Sequence, residues 1–196
     1  METPPVIQKW KVLKSEYAMK TPWLNVRRDM CELPDGSVID DYYVVERTDV
    51  VSIIGITEDH QIVMNYQYKH GIGEVVYEIP SGMIDEGETP EAAARRELQE
   101  ETGYRVEGEC VHLADMITSP SSESNRFSIF LAPHVVPGGK KMDHPRETII
   151  NQLLPVKQIA ARIQDGSINN VWSVSALHHV LTYLYQHQPE LFRDHE

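Results

Sequence analysis

At 196 residues the chain exceeds the usual size of one domain and falls short of two, and 41% apolar content suffices for one principal core with appended elements. Eighteen Lys and Arg against thirty Asp and Glu leave a net charge of -12, which argues against a nucleic-acid polymer as partner, because such binding draws on surplus cations. No eighteen apolar residues run together and the N-terminus carries no signal-peptide core, so a cytoplasmic protein with no membrane partner is expected.

Residues 5–50 read as strands, with Pro34-Asp35-Gly36 supplying turn chemistry between 28–33 and 37–45. The β-branched run from Val50 to Ile56 suits a strand buried on both faces, and 62–68 reads as its returning neighbour after a turn at 57–60. Val75 to Ile79 is a further strand that stops at Pro80. Thr89 then offers an N-cap, Pro90 fits the first helical position, and Gly103 is a suitable left-handed stop, so the spacing predicts a helix between them.

Strands are expected at 106–116 and 126–132, separated by a polar segment at 118–125. A loop rich in Gly, Lys, Asp and Pro covers roughly 137–147. Helices are expected at 156–163 and 171–186, and in the second Val174, Leu177, Leu181 and Leu184 share one stripe, which reads as a core or subunit-packing face. The two cysteines, Cys31 and Cys110, stand far apart and in no metal-ligand spacing, so reduced thiols are expected rather than a disulfide or a zinc site.

Chemistry concentrates between residues 82 and 104. On the predicted helix Glu97, Glu100 and Glu101 lie at i, i+3 and i+4, which turns three carboxylates to the same side. Alone they repel one another. Around Mg2+ or Mn2+, which prefer carboxylate and water, the same cluster becomes favourable, while Arg95 and Arg96 offset part of the repulsion. A solvated acidic face would look similar, but this helix follows a strand, the tripeptide Pro80-Ser81-Gly82 and the acidic loop 85–88. Gly82 permits backbone conformations that other residues resist, which would bring the Ser81 carbonyl towards the same ion.

Gly82, Glu88, Arg96-Glu97-Leu98, Glu100-Glu101 and Gly103-Tyr104, at these spacings, resemble a complete Nudix box. The resemblance implies an α/β fold, an α/β/α sandwich with a mixed β-sheet, and a metal-dependent attack of water on a phosphoanhydride. It also implies that Glu97 and Glu101 are the principal ligands of Mg2+ or Mn2+, Glu100 an additional one and the Ser81 carbonyl a backbone ligand. Glu88 and Arg96 would orient loop and helix.

From about Val44 to Leu131 the chain is similar to the ADP-ribose and nucleoside-diphosphate-sugar pyrophosphatases, and Pro120, sixteen residues after Tyr104, matches the proline that marks them. That subfamily places a metal-binding or water-activating glutamate on the loop after the proline. Glu123 is the candidate in this chain, although the usual glutamate lies nearer Asn125 and the usual glycines are replaced by Ser121 and Ser122. The resemblance further suggests Trp23 for stacking on a nucleobase, Arg28 for phosphate or ribose, and Lys69 where the family often has arginine. It implies a homodimer through an N-terminal β-strand extension, residues 1–48, ahead of a hydrolase domain at 49–196. Competing expectations are a Nudix hydrolase for dinucleotide polyphosphates or nucleoside triphosphates, and a noncatalytic ADP-ribose sensor.

Overall fold

A computed structural model describes residues 6–142 and 148–192. The chain divides into two compact units: residues up to Thr48 with Ile117–Arg126, and Asp49–Met116 with Phe127 onward.

In the first unit β1 (Lys11–Lys20), β2 (Asn25–Glu32) and β3 (Val38–Glu46) form an antiparallel sheet in the order β1-β2-β3. The predicted turn at Pro34–Gly36 joins β2 to β3, with Gly36 at φ 83° and its N–H donating to Leu33 O at 2.9 Å. Every residue of β1 is exposed.

The second unit begins with β4 (Val50–Gly55), followed by β5 (Gln61–Lys69), β6 (Glu74–Glu78) and the short β7 (Ser81–Met83). Helix α1 (Pro90–Thr102) comes next, then β8 (Tyr104–Val106), β9 (Val111–Ile117), β10 (Arg126–Ala132), β11 (Val135–Pro137) and β12 (Ile149–Pro155). Helices α2 (Val156–Gln164) and α3 (Val171–His187) close the unit, with a 3-10 turn at Pro189–Phe192. β4 lies between β7, antiparallel, and β10, parallel, in the order β7-β4-β10-β9; a second sheet runs β12-β5-β6. The strand arrangement is therefore mixed, as expected.

Period-two alternation decides which layer each side chain joins. Val51, Ile53, Val63 and Phe130 pack with Ala93, Ala94 and Leu98 of α1. Their neighbours Ile54, Ile62, Met64, Ile129 and Leu131 face the other way, onto Ile159 of α2 and Leu177, Val180 and Leu184 of α3. Helices thus cover both faces, and the stripe read on the last helix is core. Full burial of Leu98 alone contributes roughly 1.5–3 kcal/mol.

Three expectations need correction. β4 and β5 are not a hydrogen-bonded pair beyond the single bridge Ile56–Ile62, because β7 and β10 already occupy both edges of β4 while β6 and β12 occupy those of β5. The strand expected at 106–116 is two strands, interrupted where Gly108 takes φ 84°. β12, directly after the polar loop, is a strand that the sequence reading does not contain. Of that loop, residues 143–147 lie outside the described residues.

Candidate active site on helix α1

Helix α1 begins and ends as its sequence dictates. Thr89 accepts from the Ala92 N–H at 3.2 Å, Pro90 occupies the first turn, and Gly103 at φ 74° donates to Gln99 O. With Ala93, Ala94 and Leu98 locked under the sheet, the glutamates on the adjoining face have fixed directions.

Glu101 reaches Asn65 on β5 and Ser81 at the start of β7. Its Oε2 accepts from Asn65 Nδ2 at 2.8 Å and from the Ser81 N–H at 3.1 Å. Among the described residues both donors go to this one oxygen and none to Oε1. Burial pushes the Glu101 carboxyl up to about 8, and the nearby Glu97 adds to the rise, against smaller opposing effects of Ser81, Asn65 and Lys69. Glu97 is also raised by burial, partly countered by Arg96.

Gly82 makes this geometry possible for a reason other than the expected backbone freedom. Its φ is outside the left-handed region; a Cβ there would collide with the Glu97 carboxylate, oxygens and Cδ alike. The side chain of Glu97 fills the space that any other residue at 82 would need.

Arg96 organises the outer edge. Its Nε and Nη2 donate to Glu88 Oε1 and Oε2 at 3.0 and 2.9 Å, and Nη2 also reaches Met83 O at 3.0 Å. This fork fixes the acidic loop against the helix and holds the Glu88 carboxyl below its ordinary range. Arg96 Nη1 donates to Glu97 Oε1 at 2.7 Å and Glu100 Oε2 at 3.4 Å, so a guanidinium stands between two of the three carboxylates. Accordingly, among the described residues no three acidic, His or Cys groups close into a cage around one point. Arg95, expected to share in neutralising the triad, pairs instead with Glu91 at 2.8 Å and Gly108 O.

The donor set nonetheless suits a hard divalent cation. Two carboxylates share a site whose burial penalises their charge, the absence of a side chain at Gly82 leaves room for that of Glu97, and among the described residues Glu101 Oε1 accepts no hydrogen bond.

The remaining candidates have their own surroundings. Lys69 bonds Glu78 Oε2 at 2.8 Å, and Glu78 is also held by Gln67 and Asn170. In the first unit, Glu123 accepts from Arg47 Nε at 2.9 Å and Thr118 Oγ1 at 3.2 Å. Asn125 is buried beside it, with its Oδ1 accepting from the same Thr118 hydroxyl at 3.1 Å. Arg28 donates to Asp40 O at 2.9 Å and lies 3.6 Å from Glu16. Trp23, in the turn between β1 and β2, is 80% exposed.

Sequence reasoning missed Asn65. It shares strand parity with the buried Val63, and a polar residue in that register on a strand read as buried is the signal that could have found it.

Residues 46–171 match the model of the NUDIX domain, and residues 10–45 match the nucleoside diphosphate sugar hydrolase N-terminal domain. The chain is 32% identical over 169 residues to an ADP-ribose pyrophosphatase of Mycobacterium tuberculosis, covering 84% of this chain and 81% of that protein. It is 30% identical over 138 residues to the ADP compounds hydrolase NudE of Escherichia coli, covering 69% and 72%. A crystal structure of an ADP compounds hydrolase shares the fold, with a TM-score of 0.83 at 23% identity over 94% of this chain and 98% of that one.

Proposed function

Because the chain belongs to the Nudix hydrolase family, we propose that it cleaves the diphosphate bond of ADP-ribose or another nucleoside diphosphate sugar to a nucleoside monophosphate and a sugar phosphate. The observation that carries this is Glu101: a half-buried carboxyl beside that of Glu97, with Oε2 held by two donors and, among the described residues, no donor to Oε1. Such an arrangement is costly by itself and becomes favourable with a divalent cation. The names of the relatives, and the match of the N-terminal strands to a nucleoside diphosphate sugar hydrolase domain, support the substrate class.

Glu97 and Glu101, with Glu100 and the Ser81 carbonyl, would hold Mg2+ or Mn2+, which supplies Lewis acidity towards phosphate oxygens and acidifies water. The chain does the rest. Asn65 and the Ser81 N–H fix Glu101, while Arg96 holds Glu88 of the acidic loop and the Met83 carbonyl of β7, the strand that carries Gly82. Lys69 offers positive charge to the diphosphate as a point donor rather than a fork. The exposed Trp23 ring offers a face for stacking on a base of any kind, and Arg28 approaches phosphate or ribose. Glu123 accepts the proton that water loses as its oxygen joins phosphorus and the bridging oxygen leaves with the other phosphate.

The same proposal includes a homodimer. β1 is an exposed sheet edge carrying Val12, Leu13, Tyr17 and Met19 at the surface, with Trp10 just ahead of it, a combination that a second copy would cover. It also includes a cytoplasmic location, with which two free thiols are compatible. No helix among the described residues is long and apolar enough to cross a membrane.

The test is a substrate panel of ADP-ribose, ADP-glucose, UDP-glucose and GDP-mannose with Mg2+ or Mn2+, with products identified. A nucleoside monophosphate and a sugar phosphate are expected. Pyrophosphate release from nucleoside triphosphates, with the sugars untouched, would overturn the assignment.

A further inference from the structure

Two asparagines and a lysine form a chain of hydrogen bonds that ends on Glu101, and the chain has one direction. The Lys141 ammonium can only donate, and it bonds Asn151 Oδ1 at 2.7 Å and Ile149 O at 2.8 Å. Asn151 must therefore turn its oxygen to Lys141 and its NH2 the other way. Both protons of that NH2 are used, one on Asn65 Oδ1 at 3.0 Å and one on the Glu101 main-chain O at 3.1 Å. Asn65, fully buried, must in turn present oxygen to Asn151 and NH2 to Glu101 Oε2, at 2.8 Å.

The two ends of an asparagine amide are nearly equal in shape, so only the partners decide which end faces Glu101. A reversed Asn65 would set its carbonyl oxygen against a carboxylate oxygen, and Glu101 would have to turn away. Lys141 is itself held in place independently: the N–H groups of Gly138 and Gly139 donate to Gly103 O, and that of Met142 to Glu100 O at 2.8 Å, strapping this segment over the end of α1.

We propose that Lys141 and Asn151 are positioning residues that keep Asn65 a donor to Glu101 Oε2, leaving Oε1 for the divalent cation. The inference rests on the reading of Glu101 as a metal ligand. It makes a segment beyond β11, far along the chain from the acidic helix, a determinant of cation affinity.

Asn151→Asp gives a test whose sign is diagnostic. Aspartate keeps the bond to Lys141 but has no proton to give, so Asn65 must reverse to donate to it. An added negative charge would tighten cation binding by simple attraction, whereas reversal of Asn65 weakens it. Free Mn2+ is counted by electron paramagnetic resonance during titration of the full-length protein. The wild type is expected to bind and Glu101→Gln to lose that binding. Asn151→Asp should weaken it by about tenfold or more, the range typical of groups that orient metal ligands. Lys141→Met, which leaves both asparagines in place and keeps the test valid if the aspartate variant fails to fold, should weaken it less, and Lys141→Arg should restore it. The side-chain amide signals of Asn65 in asparagine-labelled Lys141→Met protein should shift as well. Binding equal to or tighter than wild type in both Asn151→Asp and Lys141→Met, with Glu101→Gln impaired, overturns the relay alone. Equal binding by wild type and Glu101→Gln removes the ligand the relay serves, and overturns the metal assignment with it.

Discussion

The carboxylate of Glu97 occupies the space in which a side chain on Gly82 would stand. Strand end and helix face are thereby fitted to one another at a single position, and the smallest possible side-chain addition separates them. Gly82→Ala should force Glu97 out of the site, because packed interiors do not absorb an extra carbon without displacement. Mn2+ affinity and turnover should both fall sharply while circular dichroism stays near wild type; an alanine variant with normal affinity would show that Glu97 need not lie there.

Glu97→Gln and Glu101→Gln should each lower turnover by at least about a hundredfold, since each removes charge and a ligand oxygen at the proposed cation site. Folding should survive, because neutral amides of the same shape no longer incur the burial cost of a charge. Steady-state kinetics beside thermal melts decide this, and wild-type rates in either variant would contradict a ligand role for that glutamate.

Stability of the metal-free protein should depend on pH through Glu101. Its carboxyl rises from an ordinary 4.5 to about 8 on folding, so the folded state holds the proton more tightly than the unfolded chain. A group raised in this way favours folding fully below 4.5, and that contribution is lost as pH climbs through about 8. Melting temperature without metal should therefore decline from weakly acidic to weakly alkaline pH. Glu101→Gln should flatten the decline, and Mn2+ should reverse it by displacing the proton. A decline that persists unchanged in Glu101→Gln would assign it to other groups.

Glu123 serves the reaction, in the proposed mechanism, only as the acceptor of a proton from water. Glu123→Gln should lower kcat by roughly two to four orders of magnitude with little change in Mn2+ affinity. Arg47→Ala, which frees Glu123 from its ion pair at 2.9 Å, should lower kcat far less than Glu123→Gln does, because the carboxylate remains. If Glu123→Gln keeps full activity, the base lies elsewhere.

Much of the site could be read from the chain because its signals are local. Thr89, Pro90 and Gly103 define a helix by cap chemistry, and the i, i+3, i+4 spacing of Glu97, Glu100 and Glu101 then fixes their common side. What escaped was non-local. Asn65 and Asn151 are neighbours only because β5 and β12 pair antiparallel in register, and Lys141 joins them through a segment whose anchoring depends on the end of α1. The pairing of Arg95 with Glu91 was, by contrast, open to reading: Glu91 is four residues back, whereas Glu97, Glu100 and Glu101 stand two, five and six residues on, at none of the spacings that meet on a helix. The strand partners of β4 followed from topology rather than from the turn at 57–60.

In the proposed mechanism everything depends on the acidic face of α1 gathering a divalent cation against Ser81 and Gly82. Crystals soaked in Mn2+ and measured at the manganese absorption edge test this directly. An anomalous peak is expected within coordinating distance of Glu97 and of Glu101 Oε1, with the guanidinium of Arg96 withdrawn towards Glu88. A peak elsewhere, or Arg96 still bridging Glu97 and Glu100 with no ion bound, would contradict it.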